Sequence, residues 1–141
     1  MSNSGLNKLL VKVNVGPFCA DLIQPAALAL KRGLAELKKN DAVLWGKLTA
    51  SCVCCRYISG KTDLSNHSWG SACDFRIDAQ LDPYGDGLVQ EGLIDLYPFL
   101  HDEGFYWGAG FGFPRTKNED AMHFETSAQT YAGWQADGSP N

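Results

Sequence analysis

The chain has 141 residues, of which 45% are hydrophobic and 20% charged, proportions typical of one globular domain with a substantial core. Its formal net charge of −4 provides no basic surface to neutralise phosphates, which argues against nucleic acid as a main partner. No apolar run approaches the roughly 20 residues of a membrane span. Lys8 and Lys12 interrupt the N-terminal apolar stretch, so we expect synthesis in the cytoplasm without a cleaved signal.

The clearest predicted helix covers residues 25–39. Pro25 suits the first position of a helix, and apolar residues then recur on one face, namely Ala27, Leu30, Leu34 and Leu37. Residues 43–57 follow and favour one or two strands, which end at the turn-forming residues 58–60. The pattern therefore predicts a helix followed by extended structure.

The cysteines are five in number: Cys19, Cys52, Cys54, Cys55 and Cys73. An odd count with three cysteines inside four positions does not fit the disulfide framework of a small secreted protein. The preferred interpretation of Cys52, Cys54 and Cys55 is a strand in which these small apolar thiols pack into the core. The C-x-x-C spacing of Cys52 and Cys55 leaves two alternatives open, a redox pair or half of a structural zinc site.

Short elements fill the rest of the chain. Residues 71–77 predict an apolar strand, and residues 82–87 a surface turn whose carboxylates resemble a calcium loop only faintly. Residues 91–103 predict a helix that Pro98 kinks or divides. The glycine-rich aromatic segment 105–113 suits a close-packed turn or a cleft wall.

Residues 123–125 predict a further short strand, and the tail from Gln135 is expected to fray. Helices and short strands in mixed order indicate an α+β fold, with helices packed on one face of a small antiparallel sheet. We expect a single domain over residues 1–141, with its core at about residues 20–134, and a monomer.

Two separated motifs carry the chemistry. His67 and Asp74 lie in the first, and Asp120 and His123 in the second. Two imidazoles and one carboxylate form the protein ligand set of a catalytic zinc ion, which keeps an open position for water. The second carboxylate supplies a nearby base. A structural zinc site is the alternative, but such sites are closed and rich in cysteine.

The spacing of these residues restricts where they lie. Residues seven apart in a regular strand point to opposite faces, so His67 and Asp74 require a break, which Gly70 can supply. Asp120 and His123 would also face apart in a strand. Asp120 is therefore expected in the turn that leads into the His123 strand, beside the metal, where its carboxylate can accept a proton from water.

The first motif reads S-x-H-x-x-G-x-A-x-D, with Ser65, His67, Gly70, Ala72 and Asp74 at its defined positions. A second block, Gly-Phe-Tyr-Trp-Gly at 104–108, precedes the sequence Asp-x-x-His-Phe-Glu at 120–125. Together they resemble the M15 family of zinc peptidases. That family includes VanY- and VanX-type D,D-peptidases and the L-alanyl-D-glutamate endopeptidases of phage endolysins. The resemblance spans roughly residues 56–125.

The resemblance implies a role for each matched residue. His67, Asp74 and His123 would bind zinc, and Asp120 would be the general base. Arg56 would stabilise the oxyanion of the tetrahedral intermediate. Many relatives carry glutamate at the position of Asp120. In having aspartate there, the chain resembles the endolysin-type branch more than the VanX branch.

The resemblance also implies a function, cleavage of the peptidoglycan stem peptide by an endolysin-type L-alanyl-D-glutamate endopeptidase. A D-alanyl-D-alanine carboxypeptidase or dipeptidase is the alternative within the family. A zinc-bearing cell-wall-binding module without catalysis is the alternative of another class. The enzyme would act at the cell wall or in the periplasm after release, through a holin-type export partner or host lysis.

Overall fold

The computed structural model describes residues 9–53, 62–114 and 116–138. The strands are β1 (Leu10–Asn14), β2 (Cys19–Ile23), β3 (Leu48–Ser51), β4 (Ala72–Ile77), β5 (Gln80–Leu81), β6 (Phe105–Trp107) and β7 (His123–Thr126). The helices are α1 (Gln24–Asn40), α2 (Ala42–Lys47), α3 (Glu91–His101) and α4 (Ala128–Ala136). No helix in these described ranges is long and apolar enough to cross a membrane.

A five-stranded antiparallel sheet forms the centre of the fold. Its strands run in the order β3-β4-β7-β6, and β5 pairs with β4. Side chains alternate between the two faces, because successive residues of a strand point in opposite directions. Cys73 and Phe75 of β4 and Phe124 of β7 are fully buried on one face. Asp74 and His123 consequently point to the other face.

Helix α1 packs against α3 to complete the core. Buried leucines from both helices belong to the same apolar cluster as Phe75 and Phe124: Leu30, Leu34, Leu37, Leu93, Leu96 and Leu100. Gly33 permits the close approach of the two helices, since a Cβ atom there would lie 2.8 Å from the carbonyl oxygen of Phe99. The α+β architecture expected from the sequence is thereby confirmed.

Several predicted elements are confirmed and two are corrected. The helix at 25–39 is α1, the strand at 71–77 is β4, and the strand at 123–125 is β7. The strand structure predicted at 43–57 is confirmed by β3, whereas residues 54–57 lie outside the described residues. It is wrong for residues 43–47, which lie in α2 because the Asp41 carboxylate caps that helix by accepting the Leu44 amide at 2.8 Å. Helix α3 is also undivided, because buried residues on both sides of Pro98 hold it against the core.

Several elements were not predicted, namely strands β1, β2, β5 and β6 and helix α4. Strands β1 and β2 form an antiparallel hairpin that pairs Leu10 with Ile23. The amide of Ile23 donates a hydrogen bond of 2.9 Å to the carbonyl of Gly70, which ties the hairpin to the first motif. Helix α4 begins at its N-cap Ser127 and reaches beyond Gln135, where the sequence predicted a frayed tail.

Cys52 and Cys73 form a disulfide, which corrects the expectation of free core thiols. Cys52 is buried, as predicted, and so is Cys73. The sulfur of Cys52 is bonded to Cys73 and is therefore not available to Cys55 as a redox or zinc partner. Cys54 and Cys55 lie outside the described residues. Cys19 is free and exposed. The disulfide joins the end of β3 to β4, one residue before Asp74.

Replacement of both bonded cysteines, Cys52→Ala/Cys73→Ala, is expected to lower the free energy of unfolding by about 2–4 kcal/mol, because the disulfide restricts the unfolded chain. Denaturant unfolding measures the difference. Cys19→Ala is the matched control and should leave the unfolding midpoint unchanged. Equal stabilities of the control and the double variant would contradict the disulfide.

Candidate functional site

Three polar atoms meet on the face of the sheet opposite the core. The Nε2 atom of His67 lies 2.9 Å from Oδ1 of Asp74 and 3.0 Å from Nδ1 of His123. The distance from His123 Nδ1 to Asp74 Oδ1 is also 3.0 Å. The three residues that the sequence predicted as metal ligands are thus brought together in a near-equilateral triangle of donor atoms.

His67 owes its position to a break in the chain. It lies in a 3₁₀ turn at Asn66–Trp69, where its amide donates to the hydroxyl of Ser65 at 3.4 Å. Gly70 ends the turn with φ of +69°, a left-handed conformation that favours glycine. A Cβ atom there would collide with the Leu10 side chain. The predicted break at Gly70 is confirmed.

Asp74 and His123 owe their proximity to strand pairing. They are direct partners in the antiparallel register of β4 and β7. Side chains of directly opposed residues lie on the same face with Cβ atoms about 4.5–5.5 Å apart. His67 therefore approaches from a turn towards a pair that the sheet has already placed.

Each imidazole is held by a hydrogen bond from its other nitrogen. His67 Nδ1 donates to the carbonyl oxygen of Cys52 at 2.6 Å. His123 Nε2 donates to the carboxylate of Glu125 at 2.7 Å. A metal at the centre would displace the inner proton of His123. With the outer nitrogens protonated, the lone pairs of His67 Nε2 and His123 Nδ1 would then face the ion. This is the arrangement that outer hydrogen-bond partners give to metal-binding histidines.

The donor set fits a zinc ion. Tetrahedral ligands at about 2.0–2.1 Å from zinc lie about 3.3–3.4 Å from one another, and the observed separations of 2.9–3.0 Å need only a small expansion. Two imidazole nitrogens and one carboxylate oxygen are donors that zinc accepts, with one tetrahedral position left over. His67 and His123 are 1% and 4% exposed, and the Asp74 side chain beside them is 15% exposed, so a cation would also compensate the charge of a largely desolvated carboxylate.

Electrostatics couple the three side chains and Glu125. Burial disfavours the charged form of Asp74, but hydrogen bonds from His123 and His67 outweigh it and hold the pKa of that carboxyl well below its usual range. Burial likewise opposes protonation of His123, whereas hydrogen bonds to Asp74 and Glu125 raise its pKa to about 9. Burial opposes ionisation of Glu125, but its hydrogen bonds with His123 and Asn66, together with the charges of the two histidines, outweigh burial and lower its pKa.

Asp120 lies in the turn before β7, where the sequence placed it. Its amide donates to the carbonyl of Gly108 at 3.0 Å, and its carbonyl accepts the amide of His123 at 3.1 Å. The indole of Trp107 donates to the carbonyl of Ala121 at 2.6 Å and steadies the same turn. The Asp120 side chain is half-buried. Arg56, the predicted oxyanion residue, lies outside the described residues.

A cleft borders the triangle beside Glu125. It has a volume of about 340 Å³ and is open to solvent, with a lining of Tyr106, Gly110, Phe111, Gly112, Glu125, Ser127 and Ala128. The rings of Phe111 and His123 lie 5.5 Å apart, so the wall of the cleft lies beside one of the candidate ligands. Residues 105–113 thus form the cleft wall that their composition suggested as one of two interpretations.

Sequence reasoning missed two contributions to the site. The carbonyl of Cys52 is a backbone group, so no residue type signals its hydrogen bond to His67. The ring of Phe111 was noticed only as part of an aromatic segment. Glu125, whose carboxylate binds His123, was visible in the second motif as the residue two positions after the histidine.

Comparison with known families supports the motif assignment. Residues 59–126 match the family model Peptidase_M15_4, which is described as D-alanyl-D-alanine carboxypeptidase. This segment holds His67, Asp74, Asp120 and His123, and it is that of an M15 family peptidase, as the motifs predicted. Arg56 lies three residues before the matched segment. No curated protein matches the chain.

Zinc binding to the metal-free protein is expected to release about one proton at pH 7. The pKa of His123 is about 9 without metal, so its Nδ1 must lose a proton before it binds the ion. Apparent zinc affinity should therefore rise about tenfold per pH unit and level off above pH 9. Titration calorimetry in buffers of different ionisation enthalpy measures the proton count.

His101→Ala is the matched control for this titration, because His101 is an exposed histidine outside the triangle. It should leave the proton count and the affinity unchanged. Glu125→Gln should shift the affinity profile to lower pH, since it removes a charge that favours protonated His123. Affinity independent of pH between 6 and 9 would contradict the assignment of His123 as a ligand.

Proposed function

We propose that this M15-type peptidase is a zinc-dependent peptidoglycan hydrolase that cleaves a peptide bond of the stem peptide. The observation that carries the proposal is the triangle of His67, Asp74 and His123, whose ring nitrogens are held from outside by Cys52 and Glu125. Structural zinc sites are closed by four protein ligands, whereas the described part of the chain brings three together, next to a solvent-exposed cleft.

Zinc would supply Lewis-acid polarisation of the scissile carbonyl and of the attacking water. His67, Asp74 and His123 hold the ion and keep their donor atoms fixed. Asp120 accepts a proton from the water as its oxygen bonds to the carbonyl carbon, and returns that proton to the departing amine as the C–N bond breaks. Arg56 is proposed to stabilise the negative oxygen of the intermediate.

The shape of the cleft favours an endopeptidase. An endopeptidase must accept chain on both sides of the bond that it cuts, and the cleft is open to solvent. Tyr106 and Phe111 stack at 5.5 Å and provide an aromatic wall for a peptide backbone. With aspartate as the proposed base, these features support an endolysin-type L-alanyl-D-glutamate endopeptidase as the first candidate.

A D-alanyl-D-alanine carboxypeptidase is the second candidate, because that is how the matching family model is described. In this case the same residues would act on the terminal peptide bond, and released D-alanine would be the product. For either candidate the partner is the peptidoglycan stem peptide. We propose action at the cell wall or in the periplasm, after release through a holin-type pore or lysis, as a monomer.

Digestion of purified peptidoglycan, followed by mass spectrometry of the fragments, tests the proposal. New L-Ala and D-Glu ends identify the endopeptidase, and free D-alanine identifies the carboxypeptidase. Asp120→Asn should reduce the rate by about 10²–10⁴-fold, and a chelator should abolish activity reversibly. Asp95→Asn, which removes an exposed carboxylate on α3, is the matched control and should keep the full rate.

The outcome that refutes the proposal is equally definite. Wild-type protein that binds peptidoglycan and zinc but releases no fragment would be a binding module. Equal product release by wild type and Asp120→Asn would support the assignment as a hydrolase but show that Asp120 is not its base.

A further inference from the structure

A second group of carboxylates lies apart from the His67 triangle. Asp82, Asp86 and Glu119 each bring one oxygen within 4.8 Å of the others. Asp82 and Glu119 are buried, at 3% and 4% exposure, whereas Asp86 is exposed. The interpretation of residues 82–87 as a plain surface turn was therefore wrong for Asp82, which the fold carries inward to meet Glu119.

Backbone amides fix the orientation of all three side chains. The Gln90 amide donates to Asp82 Oδ1 at 2.7 Å, and the Leu88 amide to Asp86 Oδ1 at 2.8 Å. Glu119 receives the amides of Ala121 at 2.9 Å and Gly87 at 3.3 Å, one on each oxygen. The cluster is thus held rigidly although its members carry the same charge.

The second oxygen of Asp82, Oδ2, is buried without a hydrogen-bond partner among residues 9–53, 62–114 and 116–138. In the same ranges no lysine, arginine or histidine forms an ion pair with any of the three carboxylates. A buried carboxylate oxygen without hydrogen bond or counter-charge is costly, because it has lost its hydration without replacement.

The carboxylates also repel one another. Burial raises the pKa of Asp82, and the charges of Glu119 and Asp86 raise it further against the hydrogen bond from Gln90. A divalent cation at the centre of the cluster removes both the repulsion and the uncompensated burial. The ordered, partly buried arrangement is then stable with all three carboxylates ionised.

We propose that Asp82, Asp86 and Glu119 bind a calcium ion. The donors are all carboxylate oxygens, which hard cations prefer over zinc-type nitrogen sites. Calcium binds six to eight oxygens at about 2.3–2.6 Å, so ligands on opposite sides of the ion lie up to about 5 Å apart. The observed spacing within 4.8 Å fits that range, and water and backbone carbonyls complete the shell.

The ion would join two segments of the chain. Gly85 lies in the same loop with φ of +71°, and its amide donates to the carbonyl of Glu119 at 2.9 Å. A Cβ atom at Gly85 would lie 2.8 Å from the carbonyl oxygen of Lys117, so the two segments are already in close contact. Calcium would hold the 82–87 loop against the segment that immediately precedes Asp120.

Calorimetric titration of calcium into zinc-saturated, calcium-free protein tests the site without reference to peptidase activity. Wild type should bind one calcium ion and gain thermal stability. Asp86→Asn, at an exposed position, should fold normally and lose at least about tenfold in calcium affinity. Asp82→Asn should lose more, because it removes a buried charge. Asp95→Asn again serves as the matched control with unchanged affinity.

Two results would overturn the proposal. One is the absence of calcium binding by the wild type, or equal affinity in wild type and Asp86→Asn. The other is tighter binding of magnesium than of calcium, which would refute the choice of ion. Failure of the peptidase assay has no bearing on these outcomes, since binding and unfolding are measured on protein without substrate.

Discussion

The antiparallel pairing of β4 with β7 is the constraint on which the rest of the structure depends. It sets Asp74 opposite His123 on one face and Cys73 opposite Phe124 on the other. A shift of one residue in this register would bury the polar pair against the helices and expose the core residues. The packing of Phe75 and Phe124 against α1 and α3 therefore also fixes the geometry of the candidate metal site.

His67, the third candidate ligand, is held from the end of the neighbouring strand β3. The carbonyl of Cys52 orients the ring of His67, and the disulfide of Cys52 with Cys73 joins that carbonyl to the strand of Asp74. Backbone and covalent bonds thus control the position of His67, while a carboxylate, Glu125, controls that of His123. The ring nitrogens face a common centre because both are held from behind, as preorganised metal ligands require.

The segment 117–123 links the two clusters. Its first part supplies Glu119 to the all-oxygen group with Asp82 and Asp86, and its last residue is a corner of the His67 triangle. Donor chemistry separates the two proposed ions, since nitrogen donors suit zinc and carboxylates alone suit calcium. Asp120 lies between them, in a turn held by Gly108 and Trp107. This arrangement gives a rigid position to the residue that we propose as the base.

The sequence by itself determined α1, through its apolar periodicity, and the residues of the candidate site, through the spacing of two motifs and the break at Gly70. Apolar periodicity and motif spacing depend on residues that are close together in the chain, so both can be recognised in the sequence. Only the tertiary structure decided the Cys52–Cys73 bond, the contact of Cys52 with His67, and the burial of Asp82 beside Glu119. These contacts join residues 15 to 37 positions apart. The pairing of β3 with β4 and contacts between loops bring them together, and no local pattern encodes either.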